Sequence, residues 1–291
     1  MAAENEIQIH ADDAADARVA AQRAVDEVRR IERKYSRYRE DSLLSRINAS
    51  AGGVPVPIDD ETRALLDYAD RCWQQSGGLF DVTSGVLRRA WRLDVARVPT
   101  DAELAPLLAL VGWPRVERDG AGIRLPLAGM ELDFGGLGKE YAVDRALAEL
   151  SACGMASALV NLAGDLAILG PQPGDVPWRV GIRHPSRPQS LAASLAVSAG
   201  AIATSGDYER FVEVDGVRHS HLLDPRTGRA ARGLRSVTVQ GPSCLVAGSA
   251  ATIAMLHGEA EGLRWLDDLG LPCYAIGSDG RVTDSFTRPG R

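Results

Sequence analysis

The stretch Ala158-Leu159-Val160-Asn161-Leu162-Ala163-Gly164-Asp165-Leu166-Ala167-Ile168-Leu169 holds two apolar runs, 158–162 and 166–169, broken at Gly164. Each run is short and rich in aliphatic residues, so both read as strands. Upstream, residues 140–150 have helical spacing and Gly154 ends the helix. Downstream, 178–182, 191–197, 210–214 and 236–239 all read as strands with no helix between them. Strands that follow one another in this way break any regular strand–helix alternation. The fold class is therefore α+β, with mixed or antiparallel sheets and packed helices, rather than a doubly wound sheet.

The flanks fit that frame. Glu6-Ile7-Gln8-Ile9-His10 alternates with period two and reads as a strand. Asp12 or Asp13 caps a helix whose apolar stripe is Val25, Val28, Ile31 and Tyr35. Residues 36–51 are polar and irregular, with a short helix over 43–47. A second helix begins near Asp59 or Asp60, turns Leu65, Ala69, Cys72 and Trp73 inward, and stops at Gly77-Gly78. A short helix interrupted by Pro106 is expected within 98–112, and strands at 123–127 and 130–133. Helices follow at 249–256 and 262–269, and a hairpin of 273–276 with 281–283 closes the chain.

The 291 residues carry 33 Lys plus Arg against 39 Asp plus Glu, a net charge of −6, and are 45% hydrophobic. That composition excludes a disordered, collagen-like or coiled-coil chain. The mildly acidic balance argues against a dedicated nucleic-acid binder. Cys72, Cys153, Cys244 and Cys273 are far apart and form no C-x-x-C pair, so neither a zinc site nor a redox dithiol is supported. They read as free thiols in a reducing compartment. There is no apolar run long enough for a membrane span and no signal peptide at the N-terminus, so a cytoplasmic location is expected. Only Lys34 and Lys139 are lysines; every other basic residue is Arg.

Chemistry-bearing residues gather in five glycine-flanked segments, 77–83, 133–139, 161–165, 203–208 and 220–228. Gly135, Gly136 and Gly138 precede a helix, whose N-terminus and backbone amides suit an anion, and Lys139 adds a point charge. Neither G-x-G-x-x-G nor G-x-x-x-x-G-K-[ST] occurs. Thr204-Ser205-Gly206-Asp207 is either a ligand loop or a type I turn between strands. His219 and His221 would face the same way on one strand. No G-x-S-x-G and no H-E-x-x-H is present. The residues alone indicate an α+β protein that binds a phosphorylated ligand.

Read together and in order, these segments resemble the ApbE family of FAD:protein FMN transferases. The resemblance begins at Met1 and runs through Tyr35-Ser36 and Asp41-Ser42-Leu43-Leu44-Ser45-Arg46-Ile47-Asn48. It continues through 78–83, 133–144, 161–165, 203–208 and 221–228. It implies one ApbE-like unit over 1–291, two-lobed, with the FAD site between the lobes. It also implies transfer of the FMN moiety of FAD to a Ser or Thr of an acceptor flavoprotein, with Mg²⁺ and release of AMP. By position, the resemblance assigns His221 as general base. It assigns Tyr35, Leu79, Phe80, Asp81, Asp133, Lys139, Asp165, Ser205, Gly206 and Leu223 to FAD. It assigns the carbonyl of Gly136 and the hydroxyl of Thr252 to the metal.

Two positions depart from the family pattern. Relatives commonly read D-A-x-x-T before the metal-binding Thr; this chain reads Gly248-Ser249-Ala250-Ala251-Thr252. Losing that carboxylate weakens a cation site unless another oxygen replaces it, Asp165, Ser249 and water being the candidates. Glu140, where many relatives have Gly, is a second and milder departure. The departures leave open an FAD-binding protein with weak or lost transferase activity, and a metal-dependent FAD pyrophosphatase. Family members are often exported or lipid-anchored, in contrast to the cytoplasmic expectation here.

Overall fold

The computed structural model describes residues 5–92, 95–120, 122–208 and 210–286. The Met1 match lies outside these. In chain order the elements begin with β1 (Asn5–His10), α1 (Ala14–Tyr35), α2 (Leu43–Ala49), α3 (Asp60–Gln75) and α4 (Asp101–Leu108). Next come β2 (Glu117–Asp119), β3 (Gly122–Arg124), α5 (Gly138–Ala152), β4 (Ser157–Leu162), β5 (Asp165–Leu169), β6 (Trp178–His184) and β7 (Arg187–Val197). Then follow β8 (Gly200–Gly206), β9 (Phe211–Val214), β10 (Val217–Ser220), β11 (Leu234–Gly241), α6 (Cys244–His257), α7 (Glu259–Asp268), β12 (Cys273–Gly277) and β13 (Val282–Asp284).

One seven-stranded sheet, ordered β1-β4-β5-β8-β11-β12-β13, organises the molecule, and every neighbouring pair in it is antiparallel. The two-residue turn between β4 and β5 holds Ala163 and Gly164 at positive φ, where glycine is the cheaper residue. Alternation along β4 separates the faces. Ala158, Val160 and Leu162 join the core formed with α1, α5 and α6, whereas Leu159 points the other way. There it meets Leu166, Ile168, Trp178, Val180 and Val197, so the β6–β7 hairpin covers the second face.

Small side chains let the helices approach the sheet closely. Ala142 and Ala146 of α5 and Ala247, Ala250, Ala251 and Ala254 of α6 are all buried. Asp144 of α5 accepts the N–H groups of Cys244 and Leu245 at 2.6 and 2.9 Å, which fixes the start of α6 against α5. Asp13, Asp59 and Ser243 cap α1, α3 and α6 through their side chains.

Several expectations change. The buried face of α1 runs through Ala20, Ala24, Ile31 and Tyr35, with Val25 at its margin, because the facing helix α5 also presents alanines. Pro106 lies inside α4 rather than breaking it, and a capping box between Thr100 and Glu103 starts that helix. Residues 130–133 form no strand, and the strand expected over 123–127 is confined to β3. Instead Leu132 N–H donates to Asn48 Oδ1, and Asn48 Nδ2 returns a bond to Leu132 O. Thr204, Ser205 and Gly206 are neither loop nor turn: they end β8, paired with Thr238, Val237 and Ser236. Sheet pairing there overrides a local sequence of low strand propensity. β10 stops at Ser220, so His219 and His221 do not share a strand.

All four cysteines are free, and Cys72, Cys244 and Cys273 are buried. Among the described residues no helix is long and apolar enough to cross a membrane.

Candidate functional site

The first residues of α5 stand beside the β4–β5 turn and the end of β8. Lys139, in the first turn of α5, reaches Asp165 at the start of β5, with Nζ 2.6 Å from Oδ2. The other Asp165 oxygen accepts the Thr204 N–H at 3.0 Å. Asp165 is 3% exposed, so both its oxygens are engaged inside the protein. Its charge holds the Lys139 ammonium well above the usual lysine range, against the opposing pull of burial. No side chain caps the N-terminus of α5. Ser205 and Thr252 join their hydroxyls at 2.9 Å, linking the end of β8 to α6.

Glu140, the next residue of α5, is buried at 5% exposure, and its Oε2 has no hydrogen-bond partner. Burial, followed by the nearby Asp165 carboxylate, pushes its carboxyl above the usual carboxylate range, with Lys139 opposing. Ser249 faces elsewhere: its hydroxyl is 2.7 Å from that of Tyr68 on α3.

Asp133 precedes the glycines. It accepts the Gly135 N–H at 2.8 Å and is ion-paired to Arg37, with Arg88 3.7 Å away. A Cβ at Gly85 would come within 2.4 Å of the Asp133 side chain, which leaves glycine alone at that position. A Cβ at Gly136 would meet the Phe80 ring at 3.3 Å, so Phe80 and the glycine run pack together.

His221 lies just past β10 and is exposed. Its N–H donates to the carbonyl of Arg210 at 3.0 Å, and its Nδ1 lies 3.2 Å from the same oxygen. A carbonyl only accepts, so Nδ1 carries the proton and Nε2 is left as the basic nitrogen. Surrounding protein disfavours the charged ring and lowers its pKa below 6.5. The Arg210 carbonyl opposes that effect, while the charges of Arg210, Arg37 and Lys139 reinforce it. His219, by contrast, is buried against Trp91, with ring centroids 5.6 Å apart.

The candidates divide accordingly. Lys139, Asp165, Ser205 and Thr252 are joined by ion pair, sheet and hydroxyl contacts, with Gly206 ending the same strand as Ser205. Tyr35 sits in the core, its hydroxyl 2.9 Å from that of Thr62 and its ring edge-on to Phe134. Asp81 is turned inward, accepting Thr83 N–H and hydroxyl at 2.7 and 2.5 Å and Trp113 N–H at 3.0 Å. Leu79 and Phe80 are buried. Leu223 bridges to Ala230 and packs in the cluster of Trp91 and Leu104. Arg37 joins this group only through the fold, which brings it to Asp133 from 96 residues away in sequence.

Among the described residues no three His, Cys, Asp or Glu side chains gather as a metal cage. Hydroxyls at Ser205 and Thr252, the Gly136 carbonyl and an unpartnered buried carboxyl oxygen are all hard oxygen donors. That set fits Mg²⁺, which is commonly held by one or two carboxylates plus substrate phosphates.

The ApbE family pattern matches residues 1–275. The FAD:protein FMN transferase of Vibrio cholerae is 34% identical over 251 residues, covering 84% of this chain and 75% of that protein. The FAD:protein FMN transferase of Treponema pallidum is 35% identical, covering 85% and 74%. The crystal structure of the ApbE protein of Thermotoga maritima superposes with a TM-score of 0.88 at 30% identity, covering 97% of this chain and 94% of that one. The flavin transferase ApbE of Vibrio cholerae superposes at 0.84, with 30% identity and coverage of 98% and 93%.

Proposed function

Because the chain belongs to the ApbE family, we propose that it transfers the FMN half of FAD to a Ser or Thr hydroxyl of an acceptor flavoprotein, releasing AMP. It works as one unit over residues 1–291, with the FAD site between two lobes. The observation that carries this reading is the tautomer imposed on His221 by the Arg210 carbonyl. A neutral ring with a basic Nε2 is what abstraction of a hydroxyl proton near pH 7 requires.

In the proposed reaction the acceptor hydroxyl gives its proton to His221 Nε2. The freed oxygen bonds to the FMN-side phosphorus. The bond from that phosphorus to the bridging oxygen breaks, and AMP leaves with that oxygen and the electron pair. Lys139, steadied by Asp165, presents its ammonium to the pyrophosphate at the uncapped start of α5. Asp133, Ser205 and Gly206 contact FAD, with Leu79 and Phe80 beside the flavin. Tyr35, Asp81 and Leu223, which the resemblance assigns to FAD, spend their contacts on Thr62, Trp113 and Ala230 and so serve FAD by bracing these segments. The Thr252 hydroxyl and the Gly136 carbonyl would hold Mg²⁺. When bound, the cation neutralises charge on the pyrophosphate oxygens.

Incubation with FAD and Mg²⁺, with and without an acceptor, tests the reading. AMP should appear only when acceptor is present, with no free FMN. Free FMN and AMP without acceptor would favour the pyrophosphatase reading. Tight FAD binding without AMP in either case would favour a binding protein.

A further inference from the structure

We propose that Glu140, from the first turn of α5, supplies the carboxylate ligand of the divalent cation, in place of a carboxylate carried by α6. The inference rests on the transferase reading and concerns the same site.

A carboxyl group with an unpartnered oxygen in the protein interior is costly, because nothing replaces the water it has lost. Glu140 Oε2 is in that position. The neighbouring oxygens are already engaged. Asp165 is held by Lys139 and the Thr204 N–H, and Ser249 by Tyr68. Of the carboxyl groups in this cluster, Glu140 therefore has the oxygen free to coordinate.

Its position matters as much as its freedom. A Cβ built on Gly248 would lie 2.5 Å from Glu140 Cγ, 3.2 Å from Cδ and 3.3 Å from Oε1. The Glu140 side chain thus fills the space that a side chain at position 248 would need. Gly248 lies four residues before Thr252 on α6, which sets both on one helix face about one turn apart. Glu140 brings a carboxylate from α5 to the Gly248 position, one helical turn before Thr252. The glutamate at 140 and the glycine at 248 then form one complementary pair: the carboxylate comes from α5, and only glycine at the facing position on α6 admits it.

Mn²⁺ titration of the FAD-saturated protein, followed by the electron paramagnetic resonance of free Mn²⁺, tests this. Wild type, Glu140→Gln and the double variant Glu140→Gly/Gly248→Asp are compared. Glu140→Gln should bind Mn²⁺ about tenfold or more weakly, and should melt in EDTA no lower than wild type. The double variant should recover an affinity within about threefold of wild type. Gly248→Asp alone should lower the melting temperature, and Glu140→Gly should relieve that loss. Wild-type affinity in Glu140→Gln would overturn the assignment. So would a folded double variant as weak as Glu140→Gln, or no Mn²⁺ binding by wild type. The titration needs no acceptor. Glu140-dependent binding without flavin transfer would count against the transferase reading and leave this assignment standing.

Discussion

His221 and Lys139 are both set by a single partner, and each gives a prediction. The protein packed around the ring, with the charges of Arg210, Arg37 and Lys139, lowers the His221 pKa below 6.5, so the ring is neutral at pH 7 and protonates only as pH falls through that lowered value. The acid limb of kcat/KM for transfer should therefore lie below pH 6.5; a limb centred above pH 7 would contradict the role. His221→Ala should abolish transfer and leave FAD affinity within about twofold, since a general base contributes about 10²–10⁴ in rate. Lys139→Arg should weaken FAD binding or turnover, because a planar fork is not equivalent to a compact ammonium 2.6 Å from Asp165. Unchanged FAD affinity and turnover would make Lys139 merely a partner for Asp165. At this scale the sequence was readable for groups whose chemistry is local. The glycine-flanked segments 220–228 and 133–139 mark them. Glu140 was not readable as part of the site, because its meaning depends on Gly248, 108 residues away, and only packing brings the two together.

Helices α1, α3 and α5 are tied by one carboxylate. Glu61 of α3 accepts from Arg30 and Lys34 of α1, each at 2.5 Å, and from the Tyr141 hydroxyl of α5 at 2.9 Å. The bond from Arg30 leads in lowering its pKa to about 2, with burial opposing. A depressed folded pKa contributes stability that is present above the unfolded value of 4.5 and lost as pH falls towards 2. Glu61→Gln should destabilise by about 1–3 kcal/mol at pH 7 by urea unfolding. The gap to wild type should narrow between pH 4.5 and 2; a constant gap would show that the charge is not responsible. Elements with strong periodicity were legible: β1, α3, β4, β5 and α5 appear where period and caps indicated. The end of β8 was not, since Ala203-Thr204-Ser205-Gly206 reads as a ligand loop or a turn and becomes a strand only through pairing with β11. The expected strand at 130–133 failed for the complementary reason: alternation was present, but Asn48 and not a neighbouring strand takes up the backbone groups of Leu132.

The order of segments along the whole chain carried what no single motif did. Each glycine-flanked stretch taken alone is weak evidence. Their succession over nearly the full length matches both the family and a fold that superposes at a TM-score of 0.88. The antiparallel sheet explains why. Residues remote in sequence, such as Asp165, Ser205 and Thr252, are delivered to one place by β5, β8 and α6. FAD at about 100 times its Kd should add about 2.7 kcal/mol of stability and raise the melting temperature by roughly 5 °C; no shift would argue against FAD as substrate. The most direct measurement is the intact mass of an acceptor flavoprotein that the Vibrio cholerae enzyme modifies, after incubation with this chain, FAD and Mg²⁺. The account predicts a gain equal to FMN less one water, located on a Ser or Thr, absent in EDTA and absent with His221→Ala. An unmodified acceptor, under conditions where the Vibrio cholerae enzyme modifies it fully, would contradict it.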